Sequence, residues 1–451
     1  MSEKKLPKLS TPSWLQKLQW IVNPVSFMET SAQKYPDIFA AQVTGFEESL
    51  VYVQHPEGIQ QILTNDRSKF IASGEVNDLL KPLLGEYSII MLDGDRHKKR
   101  RKLLLPPFHG ERLHAYAQLI VDLTDKIFSQ LPLDRPFTAR NITQDISLQV
   151  ILQAVYGLYQ GERYQQMKQL LAAVSDVFRS PLTSALLFFP WIQKDWGTWS
   201  PWGHFLRQQQ QIDDLIYAEI SDRRQEKDSQ RQDILSLLMS ACDEDGQPMS
   251  DVELRDELMT LMFAGHETTA TAMAWALYWI HRLPEVREKL LIELASLGDN
   301  PNLMEIAKLP YLSAVCSETL RIYPVGMLTF PRVVQEPLEL LGYQLEPDTV
   351  VVGCIYLTHQ REDIYPQPKQ FKPERFLERQ FSPYEFITFG GGARRCIGEA
   401  LAQLEMKLVI ATILSRYELA LASQKQEKPQ RRGVTLAPAS GVKLILKGNR
   451  K

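Results

Sequence analysis

The chain has only four cysteines in 451 residues, Cys242, Cys316, Cys354 and Cys396, and no two form a CxxC pair. That spacing excludes a zinc ribbon and a dense disulfide framework. It fits a reducing, cytoplasmic setting. A secretory leader or anchor is also missing from the first residues, MSEKKLPKLSTPSWLQKLQWIVNP, whose uncharged stretches are far too short to span a bilayer. There is no basic excess. Lys and Arg number 51 against 54 Asp and Glu, a formal charge of −3, which argues against a nucleic-acid partner. Internal repeats, low-complexity segments and long Pro/Gly linkers are lacking too. A single domain over 1–451 is therefore expected, with 1–25 as a peripheral extension, although length alone leaves room for about three. A monomer is the expected state.

The nearest approach to a membrane span is 258–280, 23 residues in which Glu267 is the only Asp, Glu, Lys or Arg and His266 the only histidine. Gly265, His266, Glu267, Thr268 and Thr269 cluster at its centre, an expensive arrangement in lipid. A helix through the middle of a large water-soluble protein is the better reading.

What the sequence does hold is mostly helical pattern. Apolar residues recur with helical period around 112–131, 141–158, 205–223, 250–282, 284–297, 310–322 and 397–416. Strand-like runs are short: FAAQVTG and SLVYV near the start, TVVVGCIYL at 349–357, and GVTLAP with VKLIL near the end. The fold class is therefore mostly α, one large helical domain with small peripheral sheets. Ser250 with Glu253 makes a capping box, so the longest helix starts there. Running to 282 it spans roughly 50 Å, enough to cross the domain. Pro284 is suited to open the next helix.

One loop concentrates unusual chemistry: FITFGGGARRCIGEA, 386–400. A thiolate is the form of cysteine that binds metal or attacks an electrophile. Gly390, Gly391 and Gly392 permit tight, positive-φ backbone close to something flat or bulky. Arg394 offers a planar cation to an acidic group. The helix that follows Cys396 turns its N-terminal amides toward the sulfur. Taken alone, the loop leaves three readings open: an axial thiolate ligand, a small buried cysteine, or a phosphate cradle. Against the last, no parallel strand precedes the loop and GxGxxG spacing is absent.

Phe389, Gly392, Arg394, Cys396 and Gly398, followed by Ala402, resemble the haem-binding signature of the cytochrome P450 monooxygenases. The resemblance implies the P450 fold, haem b as cofactor, and Cys396 as thiolate ligand of its iron, with Phe389, Gly390, Arg394 and Gly398 around it. The glycines are then expected to let the loop lie against the porphyrin. Ala264-Gly-His-Glu267-Thr268-Thr269 resembles the family's oxygen-binding sequence, although by itself it is equally a polar patch packed on another helix. Thr268 is expected to compete for a backbone carbonyl and open the helix locally, and Glu267 to feed protons. Glu318 and Arg321 share a helix face. With Arg375 of Pro-Glu-Arg-Phe downstream, the resemblance implies a buried structural triad. His97 and Arg101, four apart, and Arg332 are expected to meet haem propionates, as is Arg394.

The likeness runs over nearly the whole chain and looks closest to cyanobacterial members that oxidise terpenoids or fatty acids. On the substrate side Phe263, Ala264, Val325, Gly326, Met327 and Leu328 are expected contacts, with 75–92 and 438–440 completing an apolar wall. The stretch 184–205 carries Trp191, Trp196, Trp199 and Trp202. It reads either as a packed loop or as an apolar access lid touching a membrane, beside Trp14 and Trp20. The implied reaction puts one atom of O2 into a lipophilic molecule. No flavin or iron–sulfur module is present, so the electrons are expected from a ferredoxin and its reductase. The run RHKKRRK, 96–102, is expected to turn Arg101 inward and leave a basic face for an acidic ferredoxin. The competing readings are a peroxygenase or isomerase that bypasses O2, and a haem-binding sensor without turnover.

Overall fold

The computed structural model describes residues 4–43, 49–66, 68–72, 78–177, 193–226, 231–298 and 301–450. Helices dominate it. The central helix, Asp251–Arg282, begins with the expected capping box: the Ser250 hydroxyl accepts from the Glu253 amide and the Glu253 carboxylate accepts from the Ser250 amide. Leu283 and Pro284 end it, and Pro284 opens the helix Pro284–Ala295. From Leu254 to Arg282 one residue alone, Ala264, is exposed.

The other long helices pack against this axis or, for Arg112–Phe128, against the helices Ala139–Ala154 and Glu399–Arg416 that do. They include Arg112–Phe128, Ala139–Ala154, Pro201–Gln225, Pro310–Ile322 and Glu399–Arg416. Trp275 is fully buried on the central helix, and its indole N–H donates to the Leu436 carbonyl at 3.0 Å. That bond ties the core to the strand Thr435–Pro438 without leaving a buried donor unpaired.

The main sheet has five strands in the order Ile38–Ala41, Leu50–Val53, Val350–Gly353, Arg332–Val334, Phe70–Ile71. Leu50–Val53 pairs in parallel with Val350–Gly353, and the other pairings are antiparallel. The strand-like run at 349–357 is strand only to Gly353; Ile355–His359 turns into a short helix. At the N-terminus, Trp20 of the helix Ser13–Val22 packs against Phe27 and Tyr52, while Trp14 stays 66% exposed.

A buried carboxyl lies in the core with no cation against it among the described residues. Glu405, on the helix Glu399–Arg416, is 2% exposed, and its Oε1 has no hydrogen-bond partner among the described residues. Burial pushes its carboxyl from the ordinary 4.5 up to about 8, opposed by the Ser147 hydroxyl. Between those values the unfolded chain releases this proton and the folded chain keeps it, so the contribution of Glu405 to stability falls as pH rises through that window. Glu405→Gln is expected to raise the thermal midpoint more at pH 8 than at pH 5, with an upper limit of about 1.4 kcal/mol per pH unit. An equal effect at both values would show that Glu405 ionises normally in the folded protein.

Candidate active site

The cysteine loop is closed by its own backbone. The Gly390 amide donates to the Ile387 carbonyl at 2.8 Å, and the Cys396 amide donates to the Phe389 carbonyl at 2.9 Å. Gly390 and Gly392 have φ of 68° and 62°, a region that L side chains rarely adopt. The close approach that excludes a side chain comes from protein. A Cβ on Gly392 would sit 2.2 Å from the Leu63 carbonyl oxygen, and one on Gly391 2.9 Å from Leu63 Cδ1. The backbone of the helix Pro56–Thr64 therefore demands glycine at 392, while at 391 only the flexible end of the Leu63 side chain stands in the way, a reason the sequence did not reveal. Cys396 is exposed, yet protein surrounds it closely enough that burial pushes its thiol up. The Gly398 amide, Arg101 and Arg395 act the other way.

The cations expected around it are joined by two carboxylates. Arg332 Nε donates to Asp66 Oδ1 at 2.9 Å, and Arg394 Nε lies 3.6 Å from Asp66 Oδ2. Arg394 Nη2 pairs with Asp93 Oδ1 at 3.0 Å and donates to the Leu92 carbonyl at 2.7 Å. Asp93 also caps the helix Gly94–Leu104, which carries His97, buried, and Arg101, half-buried. Asp66 and Asp93 thus organise this corner, and the sequence alone marked neither for that role.

The basic run on that helix is arranged differently from the expectation. Arg100, not an outward cation, is buried and bonded to Glu257 at 2.8 Å, to Glu253 and to the Tyr87 carbonyl at 3.0 Å. Lys99 pairs with Asp245 at 2.8 Å and Lys102 with Glu244. The acids at 244–245 therefore offset much of the expected basic face.

On the central helix, the Thr268 hydroxyl donates to the Ala264 carbonyl at 2.5 Å. It does so inside an unbroken helix, so the expected local opening is not formed. Ala264 and Thr268 are one turn apart and on one face; Phe263 is half-buried against the core. The Glu267 carboxylate turns instead to the helix Ala139–Ala154, where it is ion-paired with Arg140 and accepts from Gln144 Nε2 at 2.7 Å. His266 is buried, and burial lowers its imidazole to about 4.

Glu318 and Arg321 are both fully buried. Arg321 Nε and Nη2 donate to the two Glu318 oxygens at 2.6 and 2.9 Å. The remaining guanidinium hydrogens reach the carbonyls of His359, Pro368 and Gln370. Glu318 Oε1 also accepts from Arg375 Nε at 3.2 Å and from the Lys372 amide at 2.8 Å.

After this helix the chain splits the expected contacts. Val325 joins the main core and Met327 a second cluster with Cys354 and Leu436, while Gly326 and Leu328 remain partly open. Hydrogen bonds from the Leu436 amide to the Val325 carbonyl and from the Tyr356 amide to the Met327 carbonyl fix that orientation. In the expected wall, 75–77 fall outside the described residues. The Tyr87 amide is held by Asp256 at 2.8 Å. Trp191 and the start of the expected lid also fall outside. Trp196 and Trp199 stack at 6.1 Å and are 58% and 77% exposed, whereas Trp202 is buried.

The cytochrome P450 family model matches residues 7–446. Cytochrome P450 135B1 of Mycobacterium tuberculosis is 34% identical over 446 residues, 98% of this chain and 91% of the relative. Cytochrome P450 138 of Mycobacterium bovis is 29% identical over 447 residues, 98% and 96% of the two chains. Among solved structures, retinoic acid-bound cyanobacterial CYP120A1 superposes with a TM-score of 0.85 across 100% of both chains at 22% identity, a likeness of fold. Among the described residues no helix is long and apolar enough to cross a membrane. A family match that omits only the ends of the chain, with a relative above 30% identity over nearly its whole length, assigns this chain to the cytochrome P450 family, oxidoreductases whose haem is held by a cysteine thiolate.

Proposed function

We propose that the protein is a cytoplasmic monooxygenase that hydroxylates or epoxidises a lipophilic small molecule, of terpenoid or fatty-acid class, with electrons from a ferredoxin and its reductase. The observation that carries this is the pairing of two exposures inside the fold. Cys396 is exposed on its loop, and Ala264 is the one exposed residue between Leu254 and Arg282. The donor set fits haem. It offers one thiol as iron ligand, and Arg332, Arg394, Arg101 and His97 as partners for two propionates, with Phe389, Gly390 and Gly398 beside the ligand. No group of three His, Cys, Asp or Glu that would favour another metal occurs among the described residues. Haem bound there supplies activation of dioxygen, of which one atom enters substrate and the other leaves as water.

The chain's own residues do the rest. Thr268 holds a hydroxyl on the open face, one turn from Ala264, where it can hand a hydrogen bond to a bound ligand once its O–H turns away from the Ala264 carbonyl. Glu267, held by Arg140 and Gln144, connects that turn to polar groups on the neighbouring helix and serves as a proton source once it leaves them. Phe263, Ala264, Gly326 and Leu328 present apolar surface to substrate, which suits a greasy molecule. The fold neighbour's retinoic acid adds isoprenoid acids to the classes worth screening. Trp14 and Leu18 lie exposed four residues apart on one helix, with the Trp196–Trp199 stack also exposed, as peripheral membrane contact requires.

Thr268→Ala is expected to retain haem and substrate binding but to uncouple. Reduced nicotinamide is still consumed through the redox proteins, hydrogen peroxide rises and product falls, by up to the ~10²–10⁴-fold typical of acid–base groups. Added hydrogen peroxide should restore part of the product. Unchanged product per nicotinamide would remove the proton role of Thr268 and favour a peroxygenase or isomerase. No nicotinamide oxidation with any lipophilic substrate would favour a sensor.

A further inference from the structure

His359 ends the short helix Ile355–His359, is fully buried, and touches both the acid–arginine network and the cysteine loop. Its carbonyl accepts from Arg321 Nη1 at 2.7 Å. Its ring Nε2 accepts from the Ile387 amide at 3.1 Å. The ring stacks on Phe386, with centroids 5.4 Å apart and planes 22° from parallel, and meets Tyr365 edge-on at 6.1 Å. Tyr365 in turn lies under the Arg321 guanidinium and donates its hydroxyl to the Glu385 carbonyl. Three consecutive loop residues, 385 to 387, are therefore fixed by one cluster centred on this imidazole.

Ile387 is where the cysteine loop begins to close. Its carbonyl receives the Gly390 amide, and the next link joins Phe389 to Cys396. The Ile387 side chain is fully buried, and a buried amide without an acceptor costs about 1–3 kcal/mol. The acceptor has to be an unprotonated ring nitrogen, so the imidazole is neutral with its hydrogen on Nδ1, which has no hydrogen-bond partner among the described residues. Burial, and then the charge of Arg321, supports this by lowering the ring to about 3.

We propose that His359 is a positioning residue whose Nε2 holds Ile387, and through it the loop that presents Cys396, so that thiolate ligation is coupled to the Glu318–Arg321 pair. The role rests on Cys396 as haem ligand. Without the acceptor, the loop start is free to shift and the sulfur loses its fixed approach to the iron.

The test uses haem-loaded protein, reduced and exposed to carbon monoxide, held below the temperature at which circular dichroism changes. His359→Phe keeps a ring on Phe386 but removes the acceptor. His359→Gln restores an acceptor oxygen near Nε2. The phenylalanine variant is expected to convert from the thiolate-type band to the thiol-type band at least about tenfold faster than the parent, and the glutamine variant to recover most of the difference. Conversion of His359→Phe at the parental rate, or equal conversion of both variants, overturns the proposal. A parent lacking the thiolate-type band would instead overturn the ligand reading, a separate result. If His359→Phe does not fold, ¹⁵N-histidine spectra of the parental carbonyl form decide. The signal lost in His359→Gln should show one unprotonated nitrogen and an Nδ1–H tautomer down to pH 6, and a doubly protonated ring there overturns the role.

Discussion

Two opposite charges, Glu318 and Arg321, lie three residues apart on one helix and are completely shielded from water. Removing such a pair from water is costly, and its attraction compensates only when every remaining hydrogen and lone pair is used. Here they are used. The guanidinium spends its spare hydrogens on the carbonyls of His359, Pro368 and Gln370, and the carboxylate takes the Lys372 amide and Arg375. The pair therefore dictates where the chain from 359 to 375 runs. Through the His359 ring it also reaches the start of the cysteine loop. Its energy as an isolated contact matters less than this: breaking one partner leaves a buried charge and releases a long irregular segment at once.

The central helix imposes the second constraint. It is covered nearly everywhere, so its few open positions define where a ligand can approach. Thr268 satisfies its hydroxyl inside the helix by donating to Ala264, while Glu267, one residue earlier, points to a different helix and meets Arg140. Adjacent residues on a helix diverge by about 100°, so neighbouring letters in the sequence serve different surroundings. Proton transfer between them has to pass through rearrangement or solvent.

Local chemistry was readable in the sequence. The capping box joins residues three apart, Pro284 follows at once, and the acid–arginine spacing lies within one helical turn. These features were placed correctly because their partners are near neighbours. Long-range partners were not readable. Asp66 lies 266 positions from Arg332, and nothing in either neighbourhood announces the other. The glycines of the cysteine loop were legible as glycines, but the reason for Gly392, the backbone of Leu63, was not. The basic run at 96–102 looked like an open face because Asp245 and Glu244, its partners for Lys99 and Lys102, belong to a distant loop. Val325 and Met327 went into the core because hydrogen bonds to Leu436 and Tyr356, both remote in sequence, orient that segment.

The account depends most on Cys396 supplying sulfur to haem iron. The direct measurement is the absorption of the reduced protein under carbon monoxide, for the parent and for Cys396→His. The parent should show the band characteristic of thiolate-ligated haem. The histidine variant should hold haem without that band. A thiolate-type band that persists when Cys396 is replaced would contradict the assignment and the architecture argued from it.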